Sequence, residues 1–126
     1  MERDYKKIEL SDLAQPGHPE FLEVTGIARA SREEHYQGVI GNPQGFYFGL
    51  LQSPSDKNFF VQISGMTNTR EDLSRVLILL GSSSEANLPV TLKGRYGSFS
   101  GTPQISHISE IRLGNLTYKC GNDQLI

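Results

Sequence analysis

Apolar residues follow a strand-like pattern in most segments of this chain and a helical spacing in one segment. This difference restricts the fold more than any other feature of the sequence. Five segments have the alternating or short apolar pattern of β-strands: residues 21–30, 46–51, 59–64, 88–96 and 104–113. Between the third and fourth segments, a different spacing of i, i+3, i+4 and i+7 places Leu73, Val76, Leu77 and Leu80 on one helical face. The sequence therefore predicts an all-β domain with one helix between its third and fourth strands.

The ends of this helix are also marked in the sequence. Thr69 precedes the helical segment and Asp72 lies three residues later, which resembles a capping box. Gly81 directly follows the apolar stripe, and glycine is the usual residue beyond a helix C-terminus. We therefore expect the helix to end at Gly81.

Length and composition exclude several classes of protein. With 126 residues the chain is long enough for one domain with its own core. Its net charge of −2 is not that of a generally basic nucleic-acid coat, and its single Cys permits neither a disulfide framework nor a cysteine-rich zinc site. The N-terminus does not resemble a signal peptide and the apolar runs are far shorter than a membrane span, so we expect a cytoplasmic protein without membrane contact.

Three parts are predicted along the chain. Residues 1–20 are a polar arm that ends in the turn Pro16-Gly17-His18-Pro19, and we expect them to be irregular apart from a helical turn near Leu13. Residues 21–113 contain the strands and the helix, and residues 114–126 form a C-terminal tail.

Five strands with one helix after the third is the order found in the oligonucleotide/oligosaccharide-binding barrel, the OB-fold. The segment Val90-x-Leu92-x-Gly94, followed by Gly101-x-Pro103-Gln104-Ile105 and Glu110-Ile111, resembles the fourth and fifth strands of nucleic-acid-binding OB domains. This resemblance covers about residues 21–113 and implies a five-stranded Greek-key barrel in which Gly94 relieves crowding at a bend. It also implies that ligands lie on the second and third strands, between the first–second and fourth–fifth loops.

Strand periodicity then selects candidate residues on that face. If the purely apolar sets fill the barrel, Tyr47, Phe60 and Gln62 point outward, and Gly49 leaves a flat spot beside them. Exposed aromatic rings could stack with bases. The alternative is that Phe60 is covered by the N-terminal arm or by another subunit.

Further candidates come from the two loops and the hairpin that follows the helix. Lys93, Arg95 and Phe99 belong to the predicted fourth–fifth hairpin, and Arg32 and Tyr36 to the first loop. From residue 87 onward there are four Lys or Arg against two acidic residues, whereas the first 36 residues carry five against eight. A cationic patch suited to phosphate is one interpretation, and an ordinary solvated strand face is the other.

The sequence contains no recognisable catalytic or metal motif. The three His are widely spaced, and neither a Walker lysine nor a nucleophile-elbow pattern occurs. We therefore expect a non-catalytic domain without metal or cofactor that binds single-stranded DNA or RNA. The alternative is a protein–protein interaction subunit of a larger or homo-oligomeric assembly.

Overall fold

The computed structural model describes residues 4–34, 45–67, 69–99 and 102–119. The elements along these residues are β1 (Lys6–Lys7), a 3₁₀ helix (Leu10–Ala14), β2 (Phe21–Glu34), β3 (Gly45–Gln52), β4 (Phe60–Thr67), α1 (Arg70–Ala86), β5 (Pro89–Phe99), β6 (Thr102–Leu113) and β7 (Leu116–Lys119). The five predicted strands are β2 to β6, and α1 lies between the third and fourth of them. The all-β fold class is confirmed.

Five of the strands close into a barrel. Their order is β2-β3-β4-β6-β5, and β5 pairs back with β2. All neighbours in the barrel are antiparallel except β4 and β6, which pair in parallel. The short strands β1 and β7 extend the sheet beside β2 and β6. A closed five-stranded barrel with these additions is consistent with an OB-like fold.

The barrel interior is filled by alternate side chains of its strands. Each strand buries one face, as period-2 alternation requires. The largest fully buried strand side chains are Leu22, Val24, Tyr47, Leu51, Val61, Ile63, Leu92, Ile105 and Ile111. Leu73, Val76 and Leu80 of α1 belong to the same buried cluster, so the helix and the barrel share one core.

The N-terminal segment is more ordered than the sequence predicted. The 3₁₀ helix near Leu13 is present as expected, but Leu10 and Leu13 on it are 1% and 4% exposed and join the barrel core. Farther along, the His18 ring packs on Tyr96 of β5 with centroids 3.9 Å apart. This segment therefore contributes two side chains to the core and a ring contact to β5.

Helix α1 begins as predicted but ends later. The Thr69 side chain accepts a hydrogen bond from the Asp72 backbone N–H at 3.0 Å, which confirms the N-terminal cap. The predicted end at Gly81 is wrong, because the helix continues to Ala86 and Asn87 adopts the left-handed conformation that ends it. Ser83 allows the extension, since its buried hydroxyl accepts from the Ala28 N–H and donates to the Leu88 carbonyl.

An irregularity in β6 disrupts the expected alternation. Pairing with β5 shifts register between Lys93 and Arg95, and His107 in the opposing strand has a left-handed φ of 51°. The shift places both Ile105 and Ile108 inside, whereas His107 is exposed. Gly94 lies at the same bend, where a Cβ would come 2.6 Å from Ile105 Cγ2, so the expectation for Gly94 is confirmed.

Candidate functional site

The outward side chains of β3 and β4 form one continuous surface. Alternation and direct cross-strand pairing place them in four rows, which we call the β3–β4 face. The rows are Gln52 with Phe60, Leu50 with Gln62, Phe48 with Ser64, and Phe46 with Met66. Five of the eight side chains are large and apolar, and the other three are hydroxyl or amide groups.

Tyr47 does not belong to this face. It is 2% exposed and lies in the barrel together with Gly49 and Leu51, so its predicted outward orientation and the predicted flat spot at Gly49 are both wrong. The physical reason is interior volume, because placing Phe46, Phe48 and Leu50 inside would overfill a narrow barrel. One Tyr among glycines fits, since the cross-strand partner of Tyr47 is Gly65.

Phe60 and Gln62 lie on the outer surface, as predicted. Phe60 is 40% exposed, so the described residues of the N-terminal segment do not cover it. Phe46, Phe48 and Met66 are half-buried members of the same face and were not among the predicted site residues. The glycines at 45 and 49 could have identified Phe46 and Phe48, because two glycines on the parity of Tyr47 indicate a confined, inward-facing set.

Two arginines of β2 border the face, and they differ in role. The predicted position of Arg32 in the first loop is wrong, because β2 continues to Glu34 and pairs Arg32 with Phe48. Arg32 is exposed, and its guanidinium carbon lies 4.7 Å from the centre of the Phe48 ring. This cation–π distance keeps a positive charge over an aromatic surface. Arg29, in contrast, donates to Gln52 and to the Ser84 carbonyl near the end of α1. Arg29 therefore stabilises the helix C-terminus, whereas Arg32 lies over the Phe48 ring.

Lys93 lies elsewhere, in a row of alternating charges that we call the charge ladder. The ladder crosses four neighbouring strands through directly paired residues, namely Glu23, Lys93, Glu110 and Lys119. Lys93 Nζ is 3.9 Å from a Glu23 oxygen and 3.7 Å from a Glu110 oxygen. The carboxylates are only 17% and 12% exposed, so the charge of Lys93 is largely compensated.

Arg95 is also paired, since its Nε lies 2.7 Å from a Glu20 oxygen. Both cations belong to β5, which pairs with β2 and β6, whereas Phe60 and Gln62 belong to β4. The structure therefore brings Phe60, Gln62 and Arg32 to one side of the barrel and leaves Lys93 and Arg95 on another. Tyr36 and the side chain of Phe99 lie outside the described residues.

A cavity of about 160 Å³ opens at one end of the β3–β4 face. It is lined by Phe46, Tyr47, Ser64, Gly65, Met66, Ser106 and His107. Apolar atoms make most of its wall, and the lining residues with polar side-chain groups are Tyr47, Ser64, Ser106 and His107.

Within the described ranges, no group of three His, Cys, Asp or Glu side chains is arranged to hold a metal ion. In the same part of the chain, no helix is both long and apolar enough to cross a membrane. Comparisons with models of protein families and with curated proteins found no match.

Proposed function

We propose that this chain is a non-catalytic OB-fold domain that binds single-stranded DNA or RNA across the β3–β4 face. The observation that carries the proposal is the combination, on one outer surface, of three Phe rings with amide side chains and the bordering Arg32. Nucleic-acid strands bind such surfaces because bases stack on aromatic rings and phosphates approach cations. The corresponding two strands are the ligand-binding face of OB barrels.

The distribution of charge supports this face over the cationic patch that the sequence predicted on the hairpin after the helix. The eight side chains of the β3–β4 face are uncharged, whereas Glu20, Glu23 and Glu110 lie with the β5 cations. A polyanion approaching β5 would have to compete with these carboxylates for Lys93 and Arg95. No carboxylate belongs to the eight side chains of the β3–β4 face.

The experiment is fluorescence anisotropy with labelled DNA and RNA strands of about 12 nucleotides, measured at about 50 and about 200 mM salt. Phe60→Ala removes a stacking ring, and loss of one stacked base costs about 1–3 kcal/mol, or roughly 5- to 150-fold in affinity. The matched control is Leu116→Ala, which removes another exposed apolar side chain, on β7. The control is expected to bind like the wild type.

A second pair of variants tests the charge. Arg32→Gln is expected to weaken binding and to flatten its dependence on salt, because each neutralised phosphate contributes about −0.7 to the slope for a single strand. Arg75→Gln removes an exposed arginine of α1 and is expected to leave the slope unchanged. Absence of binding at both salt concentrations, or equal effects of each variant and its control, refutes the proposal.

Protein–protein interaction is the second candidate function, and the apolar share of the same face favours it. Phe60 is exposed beside four half-buried apolar side chains, and contiguous apolar surface of this kind is typical of interfaces. Sedimentation of the wild type and of Phe60→Ala separates the candidates. A wild-type oligomer that dissociates in the variant, together with no oligonucleotide binding, favours an interface.

A further inference from the structure

The cavity at the end of the β3–β4 face has a specific origin in the sheet. Strands β4 and β6 pair in parallel at Gln62 with Gln104 and at Ile63 with Ile105. Past these pairs, Ser64 to Met66 on one strand and Ser106 and His107 on the other line the cavity. The opening is therefore a separation between two barrel strands, next to the proposed binding surface.

The walls of the cavity suit a flat ring. Phe46 and Met66 are direct cross-strand partners and belong to both the face and the cavity. Tyr47 forms the inner wall, where its ring covers Gly65 so closely that a Cβ there would lie 2.5 Å from Tyr47 Cζ. Aromatic and thioether groups make favourable contacts with the faces of other rings.

Polar groups stand at the rim. Ser106 Oγ and His107 Nδ1 lie 3.0 Å apart, and Ser64 Oγ accepts a hydrogen bond from Gln104 Nε2 at 3.0 Å. The Ser64 hydroxyl still has a proton to donate. Both serines and the imidazole can therefore exchange hydrogen bonds with the polar edge of a ring held between the walls.

His107 is held at this rim by an unfavourable backbone conformation. Its φ of 51° is left-handed, which a residue with a Cβ adopts at a cost of about 1 kcal/mol or more. Such conformations concentrate at ligand sites, and bulges often redirect a side chain beside them. The bulge of β6 exposes His107 beside the cavity, whereas strict alternation from Ile105 would place it inside the barrel.

We propose that this cavity receives one pyrimidine base of the strand bound by the β3–β4 face. The inference rests on the proposed function and adds a base preference to it. A cavity of about 150 Å³ holds a single six-membered ring, and the volume of about 160 Å³ matches one ring better than the fused rings of a purine. Ser106 and His107 then contact the polar edge of the base.

The test compares oligo(dT) with oligo(dA) of equal length by anisotropy. We expect the wild type to bind oligo(dT) about tenfold more tightly, which corresponds to about 1.4 kcal/mol. Ser106→Met fills the cavity and is expected to abolish this preference while leaving oligo(dA) binding within about twofold. Ser82→Met introduces the same side chain at an exposed position of α1 and serves as the control.

A His107→Gly variant gives a second measurement, because a purely structural role of His107 would affect stability but not the preference for oligo(dT). Relief of the left-handed conformation is expected to maintain or raise the melting temperature, while loss of the imidazole lowers the oligo(dT) preference. A stable His107→Gly variant with an unchanged preference overturns the role of His107 at the rim.

Failure of this inference differs from failure of the proposed function. Equal wild-type affinity for both oligonucleotides, or a preference that survives Ser106→Met, overturns the base cavity while leaving strand binding intact. If neither oligonucleotide binds, the proposed function fails, and a titration with free thymidine followed by NMR tests the cavity alone. Shifts of the Gly65 and His107 amides then support a pyrimidine site, and unchanged amides overturn it.

Discussion

Replacing Gly94 with Ala is the sharpest test of how the barrel is packed. The added Cβ would lie 2.6 Å from Ile105 Cγ2 and 2.9 Å from the Ser106 carbonyl oxygen. Ordinary contacts of a Cβ begin near 3.4 Å, so both neighbours would have to move by half an ångström or more. Ile105 is fully buried and the carbonyl belongs to the backbone of β6, so neither can simply rotate away.

The expected magnitude follows from this geometry. Overpacking a well-packed core costs about 1–3 kcal/mol, and a collision with both a buried side chain and the backbone belongs near the upper end. For a domain of this size, a loss of about 3 kcal/mol in the free energy of unfolding lowers the melting temperature by about 10 °C. Circular dichroism on heating and on urea titration measures both quantities.

Gly97→Ala is the matched control, because it adds the same methyl group to the same strand. No described atom lies within 4 Å of a Cβ at that position. The control is expected to leave stability unchanged or to raise it by up to about 1 kcal/mol, because alanine lowers the conformational entropy of the unfolded chain. Equal melting temperatures of the Gly94 and Gly97 variants would refute the close packing inferred at Gly94.

Three further substitutions test single contacts by urea denaturation. Ser83→Ala leaves the buried Ala28 N–H and Leu88 carbonyl without their partner, so a loss of about 2 kcal/mol is expected, and a loss below about 0.5 contradicts the bridge. Ser31→Ala removes a buried hydroxyl that has no partner among the described residues, so stability should be unchanged or slightly higher, and a clear loss contradicts this. Gly81→Ala adds a methyl group inside α1 with no described atom within 4 Å, and a gain of about 1 kcal/mol is expected; a loss would show hidden crowding.

Local sequence patterns were sufficient for the element types of the barrel. The change from strand to helical spacing at Leu73 identified α1, and Thr69 marked its start. The helix end was missed because the extension past Gly81 depends on Ser83, whose hydroxyl bonds to β2 and to the residue preceding β5. Such contacts join residues far apart in sequence, so the spacing of apolar residues along the chain does not reveal them.

The candidate site was harder to predict for two physical reasons. Residues 46–51 are apolar on both parities, so alternation alone could not say which set faces inward; the volume of the interior decides, and it selects Tyr47. The predicted cationic patch was based on counting charges along the chain. Glu20, just before β2, and Glu23 in β2 compensate the charges of Arg95 and Lys93 although they lie far from β5 in sequence, and counting along the chain cannot detect that.

The charge ladder has a consequence for how the strands find their partners during folding. Burial of one strand face discriminates only against slips by an odd number of residues, because a slip by two keeps every apolar side chain inside. From the observed pairing, a two-residue slip in one direction would place Arg112 opposite Lys93 across β5 and β6, or opposite Lys119 across β6 and β7. Each correct pair contributes about 0.2–1 kcal/mol, and like charges directly opposite are unfavourable. The ladder thus selects against the misaligned sheets that hydrophobic burial would accept.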